Sequence, residues 1–312
     1  MSEVSNIVEI KNLIKIYKTG SIEVVALQDL SLNVVREEIL CIMGPSGSGK
    51  TTLLNQIGAI DRPSSGTITS CGKDLTKMKE NELANYRAFD IGFLFQDFNL
   101  NPVLTAQDNI ILPMKIAGRL SREEQNKKAT ELLKRVDLKE RANHKPHELS
   151  GGEKQRIALL SAVANEPRIL IADEPTGELD STTTEEILNL LKDFNKEFGI
   201  TNVIVTHNPL VSKIADRILN LRDGRFASEY NLNIDREKGE TPSFEMDSNI
   251  VLQYLYPPQK CSNCSSEELK LQKPADNPLF YARSTHGLKD VKIGFAHCAK
   301  CSHINWGFQP VR

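Results

Sequence analysis

One octapeptide decides the fold of this chain: Gly44-Pro45-Ser46-Gly47-Ser48-Gly49-Lys50-Thr51. It matches the phosphate-loop pattern G-x-x-x-x-G-K-[ST] without a mismatch. An apolar run at 39–43 precedes it and a helix-compatible run at 51–58 follows it, so the sequence predicts a strand, a loop and a helix. In that order, backbone N–H groups and the positive end of the helix enclose a polyphosphate. The pattern alone does not separate kinases, GTPases, helicases and transport ATPases.

The bulk composition is that of an ordinary globular protein. The 312 residues are 39% hydrophobic and 26% charged, and the formal net charge of −2 gives no general attraction to nucleic acid or anionic membranes. No apolar run approaches the roughly 18–20 residues that span a bilayer, and residues 1–12 lack a signal-peptide core. We therefore expect a cytoplasmic protein whose work at a membrane would depend on another polypeptide.

Strand-like and helical patterns alternate along the chain, which predicts a mainly parallel sheet. Residues 7–16 resemble an edge-type strand pair, and 30–34 and 67–73 add strands of an antiparallel subdomain. Further strands are predicted at 91–95, 169–172 and 203–205, with helical regions at 105–136, 157–164 and 181–198. Ser121 with Glu124 and Ser150 with Glu153 predict capping boxes. Asp223-Gly224 predicts a hairpin turn.

Five further segments follow the octapeptide in a fixed order. They are Gln96 after a strand, the run Leu149-Ser150-Gly151-Gly152-Glu153-Lys154-Gln155, the pair Asp173-Glu174 after a strand, Glu178-Leu179-Asp180, and His207 after a strand. Together with the octapeptide they resemble the Walker A, Q-loop, signature, Walker B, D-loop and switch histidine of the ATP-binding-cassette ATPases. The resemblance covers roughly residues 5–230.

The chemistry of ATP hydrolysis explains these residue types. The phosphate charge must be neutralised and a water aimed in line at the γ-phosphorus. Lys50 would reach the terminal phosphates, while Thr51 and Asp173 would hold a magnesium ion. Glu174 is the natural general base or water positioner. The resemblance adds that His207 clamps the γ-phosphate and that Gln96 contacts the metal and the attacking water.

The resemblance also implies the remaining nucleotide contacts. The whole octapeptide and Thr52 would surround the phosphates, and Tyr17 occupies the place of the aromatic residue that stacks on adenine. Ser150 and Gly152 lie at the tip of a helix, which forms a second anion site. In the family, two cassettes pair head to tail, so that each signature covers the ATP of its partner. We therefore expect a homodimer with Asp180 at the shared interface.

A finer resemblance points to one subgroup. The segments 17–20, 25–27, 61–63 and 91–113 are similar to the ATPases of macrolide exporters, lipoprotein-releasing systems and their cell-division relatives, which drive a separate permease. Cassettes grip that permease near 96–109, where Phe95 and Phe98 provide either apolar contact or core packing. Three positions depart from the family pattern, Ser161, Glu178 and Asn208. None of the three removes a catalytic group.

The six cysteines fall into two groups. Cys41 and Cys71 are isolated in strand-like stretches and are expected to pack in the core. The other four form two C-x-x-C pairs that resemble a zinc ribbon with a closed structural zinc site, Cys261, Cys264, Cys298 and Cys301. Free thiols in a tail and a redox pair are the alternatives. The histidines at 286, 297 and 303 are surplus to a four-cysteine site.

These observations predict an α/β protein with a P-loop ATPase domain at 1–230, comprising a mainly parallel core sheet, an antiparallel β subdomain and a helical subdomain. A polar linker at 231–250 and a small zinc-ribbon-like domain at 251–312 would follow. The expected function is an ATP-hydrolysing transporter subunit at the inner face of the cell membrane, driving a separate permease for export, lipoprotein release or mechanotransmission.

Two other functions compete with this prediction. The first is a soluble cassette ATPase that acts on the ribosome or nucleic acid through its ribbon. Residues 240–312 contain eight Lys/Arg and seven Asp/Glu with no basic stripe, so we do not expect nucleic acid as a partner. The second is an inactive regulatory adaptor, which the presence of Lys50, Glu174 and His207 argues against.

Overall fold

The structure is a computed structural model that describes residues 5–20, 22–177 and 179–231, together with short strands between 243 and 310. The chain forms two compact units, Met1–Glu229 and Tyr230–Arg312. Each unit is described separately. Glu178, one of the residues that depart from the family pattern, lies outside the described residues.

The elements of the first unit follow the order that the sequence predicts. The strands are β1 (Asn6–Thr19), β2 (Ile22–Val35), β3 (Ile39–Met43), β4 (Ser65–Ser70), β5 (Lys73–Asp74), β6 (Ile91–Leu94), β7 (Ile169–Asp173), β8 (Thr201–Thr206), β9 (Arg217–Arg222) and β10 (Arg225–Asn231). The α-helices are α1 (Lys50–Ile57), α2 (Glu80–Phe89), α3 (Ala106–Ala117), α4 (Arg122–Arg135), α5 (Gly151–Val163) and α6 (Ser181–Phe198). Short 3-10 helices lie at Lys139–Arg141, Pro146–Glu148 and Pro209–Lys213.

A six-stranded sheet in the order β10-β9-β3-β8-β7-β6 forms the core of this unit. Strands β3, β8, β7 and β6 run parallel to their neighbours. Residues 39–42, 169–172 and 201–206 are all buried. Successive side chains of a strand point to opposite faces, so both faces of this sheet are covered. The Asp223-Gly224 turn joins β9 to β10 as predicted, with φ of 48° and 74°.

The predicted strand pair at 7–16 is instead one 14-residue strand, β1, inside an antiparallel sheet of order β2-β1-β4-β5. The prediction was wrong because the apolar alternation of β1 is interrupted. Its pairing with β2 shifts register between Ile10 and Leu13, where Asn12 adopts a left-handed φ of 49°. A bulge of this kind breaks the period of two and makes one strand read as two.

The helix boundaries show how local chemistry starts each helix. Ser121 Oγ accepts from Glu124 N at 3.3 Å while Ser121 N donates to Glu124 Oε2 at 2.7 Å, which confirms the first capping box. Ser150 and Glu153 form the second box at 3.2 and 2.8 Å. The helix predicted at 157–164 therefore begins earlier, at Gly151. Helix α6 has the predicted bounds.

Cys41 and Cys71 are both buried, as predicted. Cys41 lies in β3, in the interior of the sheet. Burial, aided by the negative charge of Glu174, raises the pKa of the Cys41 thiol to about 12. A buried thiol of this kind is a packing group with little reactivity.

The second unit contains β11 (Ser243–Glu245), β12 (Leu269–Leu271), β13 (Tyr281–Arg283), β14 (Val291–Cys298) and β15 (Ile304–Pro310). The sheet order is β11-β13-β14-β12, and β15 pairs antiparallel with β14. Strand β11 lies within the stretch 231–250. The backbone of Cys298 is opposite Leu269 at the end of β14. The other three predicted zinc ligands, Cys261, Cys264 and Cys301, lie outside the described residues.

Two kinds of feature are absent from the part of the chain that the structure describes. In that part, no group of three or more His, Cys, Asp or Glu side chains is arranged to hold a metal ion. No helix there is both long and apolar enough to cross a membrane.

Candidate functional site

The carboxyl ends of four neighbouring strands collect the polar residues that the sequence singled out. Leu94 of β6 pairs with Ala172 of β7, and Asp173 pairs with Val205 of β8. Met43 of β3 pairs with Thr206 of β8. Because parallel strands end at the same edge, the residues that follow them meet there. The segments brought together are 44–51, Gln96, Asp173-Glu174 and His207, and such an edge is where open α/β sheets bind ligands.

Glycine conformation and a lysine bridge shape the phosphate loop. A side chain at Gly44 would clash with the carbonyl oxygen of Leu221, and Gly49 adopts a left-handed φ of 103° immediately before α1. Lys50 Nζ donates to the carbonyl oxygens of Gly44 at 2.8 Å and Pro45 at 3.0 Å. The ammonium is thus held across the loop, where burial lowers the pKa of Lys50 and the carboxylates of Glu174 and Asp173 oppose that change.

The residues of the phosphate loop differ in their exposure to solvent. Residues 45–47 are exposed, while Ser48 is buried and its hydroxyl has no hydrogen-bond partner. A buried hydroxyl without a partner is unfavourable unless a ligand supplies one. The orphaned Ser48 hydroxyl therefore fits a phosphate oxygen as acceptor.

Thr51 and Asp173 join the phosphate loop to the end of β7. The Thr51 hydroxyl donates to Asp173 Oδ2 at 2.8 Å. Burial raises the pKa of Asp173 and so does the Glu174 charge, whereas the Thr51 hydrogen bond and the Lys50 ammonium lower it. A hydroxyl and a carboxylate are oxygen donors that Mg²⁺ prefers. The residues present therefore fit a magnesium ion bound to a triphosphate.

Glu174 and His207 form a close pair at the same edge. His207 Nδ1 lies 2.9 Å from Glu174 Oε1, and the Thr206 hydroxyl and the His207 amide donate to Oε2 at 2.9 and 3.2 Å. Burial opposes ionisation of Glu174, but these donors outweigh it and lower the pKa of the carboxyl. The hydrogen bond to Glu174 raises the pKa of His207 against the effect of burial. Glu174 is therefore ionised at neutral pH.

The backbone at Glu174 also departs from ordinary geometry. Its φ is 47°, which is uncommon for a residue with a side chain. A strained residue persists where its surroundings fix it, and such residues cluster at functional sites. Gln96 lies near this residue. A Cβ at Gly177 would be 3.5 Å from the carbonyl oxygen of Glu174 and 3.8 Å from Gln96 Nε2.

Three residues that the sequence prediction did not assign hold the loop after Glu174 and the loop after β8 in place. Gln155, which is buried, donates from Nε2 to the carbonyl oxygen of Pro175 at 2.7 Å. Asn208 Nδ2 donates to Thr176 Oγ1 at 3.0 Å. Thr206 donates to Glu174 as described above. Two of the three carried a sequence signal, because Asn208 departs from the family pattern and Gln155 ends the run 149–155.

The predicted signature residues lie at a different place on the surface. Ser150 caps α5, and a Cβ at Gly152 would come within 2.6 Å of Thr183 Cγ2 in α6. Asp180 caps α6 by accepting from the backbone N–H groups of Thr182 and Thr183, both at 3.0 Å. Among the described residues, no hydrogen bond joins Ser150 or Gly152 to the phosphate loop. The tip of α5 is therefore a second N–H cluster, separate from the first.

Tyr17 lies in β1 beside the phosphate-loop helix. Its hydroxyl donates to Asp61 Oδ2 at 3.0 Å. Burial raises the pKa of the Tyr17 phenol, a hydrogen bond with Thr52 of α1 lowers it, and Asp61 raises it further. The third departure from the family pattern, Ser161, donates to the carbonyl oxygen of Asn109 at 3.0 Å and ties α5 to α3.

A polar recess of about 590 Å³ lies away from this site. It is near the amino-terminal ends of β6 and β7, and its walls include Lys73, Asp90, Arg119 and Arg168. Lys73 and Arg168 both face Asp90, at 2.5 and 3.8 Å. None of the sequence-predicted site residues lines this recess.

Comparison with known proteins gives consistent matches. A family model described as ABC transporter matches residues 27–177. The uncharacterized ABC transporter ATP-binding protein MJ0796 of Methanocaldococcus jannaschii is 47% identical over 228 residues, which are 72% of this chain and 97% of that protein. The lipoprotein-releasing system ATP-binding protein LolD of Bacteroides fragilis is 46% identical over 205 residues, 66% of this chain and 94% of that protein.

A solved structure agrees with these sequence matches. The dimeric post-hydrolysis state of the cassette MJ0796, bound to ADP and Pi, superposes with a TM-score of 0.68 at 45% identity. The match covers 72% of this chain and 98% of that chain. The macrolide export ATP-binding/permease protein MacB of Rhodopirellula baltica is also similar, 45% identical over 224 residues, 71% of this chain but only 33% of that longer protein.

Proposed function

This chain belongs to the ABC transporter ATP-binding family, and on that premise we propose that two copies of it enclose two magnesium-ATP molecules and drive a separate membrane permease. Its reaction is ATP hydrolysis. One observation carries the residue assignment. The Thr51–Asp173 hydrogen bond, at 2.8 Å, fastens the phosphate loop to the strand whose next residue is Glu174. Phosphate binding and water activation are thereby placed side by side.

Each residue at this edge has a task in the proposed reaction. Lys50 would exchange its two backbone carbonyl partners for the terminal phosphates. Thr51, Asp173 and Gln96 would hold the magnesium ion, which neutralises charge on the phosphates when it is bound. Glu174 is ionised, so it accepts a hydrogen bond from the attacking water and orients it. His207 donates toward the γ-phosphate once ATP separates it from Glu174.

The proposed homodimer explains the second N–H cluster. Among the described residues, no hydrogen bond joins the tip of α5 to the phosphate loop, and a head-to-tail pair would place Ser150 and Gly152 over the triphosphate of the other chain. Asp180, at the start of the neighbouring helix α6, would then lie at the shared interface. The dimeric structure of the relative bound to ADP and Pi supports this arrangement.

A permease is the proposed membrane partner, and the segment 96–109 is proposed to contact it. Val103 in that segment is 71% exposed, so an apolar side chain is available there for contact with a partner. Phe98 and Asn99 both adopt left-handed φ, 57° and 51°, and residues in such sparsely populated conformations cluster at functional sites. The similarity to LolD and MacB supports export or release at the inner face of the cell membrane, and does not favour the ribosome-acting alternative.

The zinc ribbon is proposed for the second unit. It is supported by the spacing of the two C-x-x-C pairs, since four thiolates form a closed tetrahedral zinc site. The small unit would gain its stability from metal binding. Purified protein should contain about one zinc per chain, measured by mass spectrometry of the metal. If Cys261→Ser and Cys298→Ser leave the zinc content unchanged, the ribbon is ruled out.

Affinity purification from membranes tests the main proposal. Glu174→Gln should trap the ATP-bound dimer and retain a multi-span permease, because the amide cannot activate water. Glu123→Gln, an exposed position in α4, is the matched control and should retain no more permease than the unmodified protein. Recovery of ribosomes or nucleic acid in place of a permease would favour the alternative function.

A further inference from the structure

Lys15 of β1 is buried beside the phosphate-loop helix. Its side chain is only 11% exposed, and Nζ donates to Asp61 Oδ1 at 2.7 Å and to the carbonyl oxygen of Arg62 at 2.8 Å. Burying an ammonium group is unfavourable unless it is paired and hydrogen-bonded. This residue touches none of the groups that bind phosphate or water in the proposed reaction, so its burial calls for another explanation.

The Lys15 ammonium also lies against the Tyr17 ring. Nζ is 4.8 Å from the ring centroid, well within the range of a cation–π interaction. The Tyr17 hydroxyl donates to Oδ2 of Asp61, the same carboxylate that accepts from Lys15. Lys15, Tyr17 and Asp61 thus form one closed cluster, in which the ring orientation is set at the hydroxyl and at one face. Tyr17 is nevertheless 38% exposed, so part of the ring remains open.

Asp61 fastens this cluster to the phosphate-loop helix. The backbone N–H groups of Ile60 and Asp61 donate to the carbonyl oxygen of Asn55, in α1, at 2.9 and 3.2 Å. The Arg62 N–H donates to Asp61 Oδ1 at 2.7 Å, which fixes the carboxylate. Asp61 therefore anchors the cluster at the C-terminal end of α1, while the Tyr17 hydroxyl also reaches Thr52 in the first turn of that helix, next to the phosphate loop.

We propose that Lys15, anchored by Asp61, determines how tightly the site binds the nucleobase by fixing Tyr17 and placing a positive charge against one face of its ring. The inference rests on the proposed function, in which Tyr17 stacks on adenine. A ring held in one rotamer loses less conformational entropy when the base binds. A cation on one face also draws electron density from the other, which favours stacking with an electron-rich purine.

The experiment compares two ligands of the full-length protein. ATP offers base and phosphates, whereas inorganic tripolyphosphate offers the phosphates alone. Lys15→Met keeps the apolar stem and removes the charge, so it should weaken ATP binding about tenfold and leave tripolyphosphate binding unchanged. In hydrolysis assays KM for ATP should rise while kcat stays the same, since uniform binding is lost.

Lys18→Met is the matched control. Lys18 lies on the same strand and pairs with Glu23 at 2.6 Å, but its side chain is 69% exposed. The ATP and tripolyphosphate affinities of this variant should both match those of the unmodified protein. If Lys15→Met does not fold, the double variant Lys15→Met with Asp61→Asn removes both charges of the buried pair. Its ATP and tripolyphosphate affinities are then compared in the same way.

Two results would overturn the inference. One is a folded Lys15 variant whose ratio of ATP to tripolyphosphate affinity is unchanged. The other is an equal loss of both ligands, which would indicate damage to the phosphate loop. Tyr17→Ala separates this inference from the proposed function. If Tyr17→Ala lowers the ratio and the Lys15 variant does not, only the inference fails. If Tyr17→Ala also leaves it unchanged, the adenine role of Tyr17 fails with it.

Discussion

The tips of α1 and α5 are both helix N-termini that present backbone N–H groups, but the chain completes them differently. At α1, contacts from other parts of the same chain complete the site, because Lys50 bridges the loop and Thr51 reaches Asp173. At α5, Ser150 and Glu153 cap the helix and Glu153 also accepts from Arg141 Nε at 3.0 Å, but no described hydrogen bond links Ser150 to the phosphate loop. In the proposed dimer, the tip of α1 is the half of the binding site that its own chain completes, and the tip of α5 is the half that acts on the nucleotide of the second chain.

A substitution at Gly151, at the tip of α5, tests this difference between the two helix N-termini. A Cβ at Gly151 would meet only Leu179 Cδ2, at 3.9 Å, which is ordinary contact. Gly151→Glu should therefore fold normally, and an acidic side chain in the first turn is favourable. In the dimer it would face the triphosphate of the partner chain, so we expect hydrolysis to fall about a thousandfold or more, in a phosphate-release assay. If the Gly151→Glu variant forms a dimer and hydrolyses ATP at the normal rate, the tip of α5 does not face the triphosphate of the partner chain.

Mixing two inactive variants sharpens the same comparison. Lys50→Ala disables the α1 half and Gly151→Glu disables the α5 half. A mixed dimer would contain one site with both halves intact, so hydrolysis should return to at most about a quarter of the normal rate. Each variant alone, at the same total protein concentration, provides the control. No recovery from a mixture that forms mixed dimers would mean that each chain completes its own site.

Removing the hydrogen bond from Thr206 to Glu174 is expected to have a smaller effect on hydrolysis. Thr206→Val keeps the shape of the side chain and removes the donor to Glu174 Oε2. Hydrogen bonds to charged groups contribute about 1.5–3 kcal/mol, so kcat should fall roughly ten- to a hundredfold with little change in KM. Because that donor lowers the pKa of Glu174, its loss should move the acid limb of the kcat profile to higher pH. Thr201→Val, at the other end of β8, is the control for packing.

Helix capping gives the smallest effect. Ser150→Ala and Ser121→Ala each remove one capping box and should each lower the free energy of unfolding by about 1 kcal/mol, measured by urea denaturation. Only the Ser150 variant should also weaken hydrolysis, because only the α5 tip faces a nucleotide in the proposed dimer. Equal hydrolysis by the two variants would show that the Ser150 hydroxyl has a structural role alone.

Much of the fold could be predicted from the sequence because its signals are local. The strands at 169–172 and 203–205, helix α6 and both capping boxes depend on residues a few positions apart. The Asp223-Gly224 turn requires only two left-handed residues. The interior position of β1 could not be predicted in this way, because the bulge at Asn12 disguises its period and its second neighbour, β4, is about 55 residues further along the chain.

The order of the motifs also anticipated which polar residues meet at one edge of the sheet. It did not reveal the groups that hold them. Gln155 and Pro175 are 20 residues apart, and Lys15 and Asp61 are 46 apart. A lysine in an alternating strand predicts an exposed side chain, and nothing nearby in the sequence indicates that a carboxylate from the end of α1 covers it.

The sequence by itself determined the family and the reaction, and it predicts which residues bind phosphate and orient water, since these depend on chemical groups in a fixed order. The tertiary structure alone decided the direction in which the pKa of each of those groups shifts and the buried contacts that cause the shift. Asp173 and Glu174 are neighbours in sequence, yet the pKa of the first is raised and that of the second lowered. A pKa depends on the donors, charges and burial around a group, and folding brings these together from distant parts of the chain.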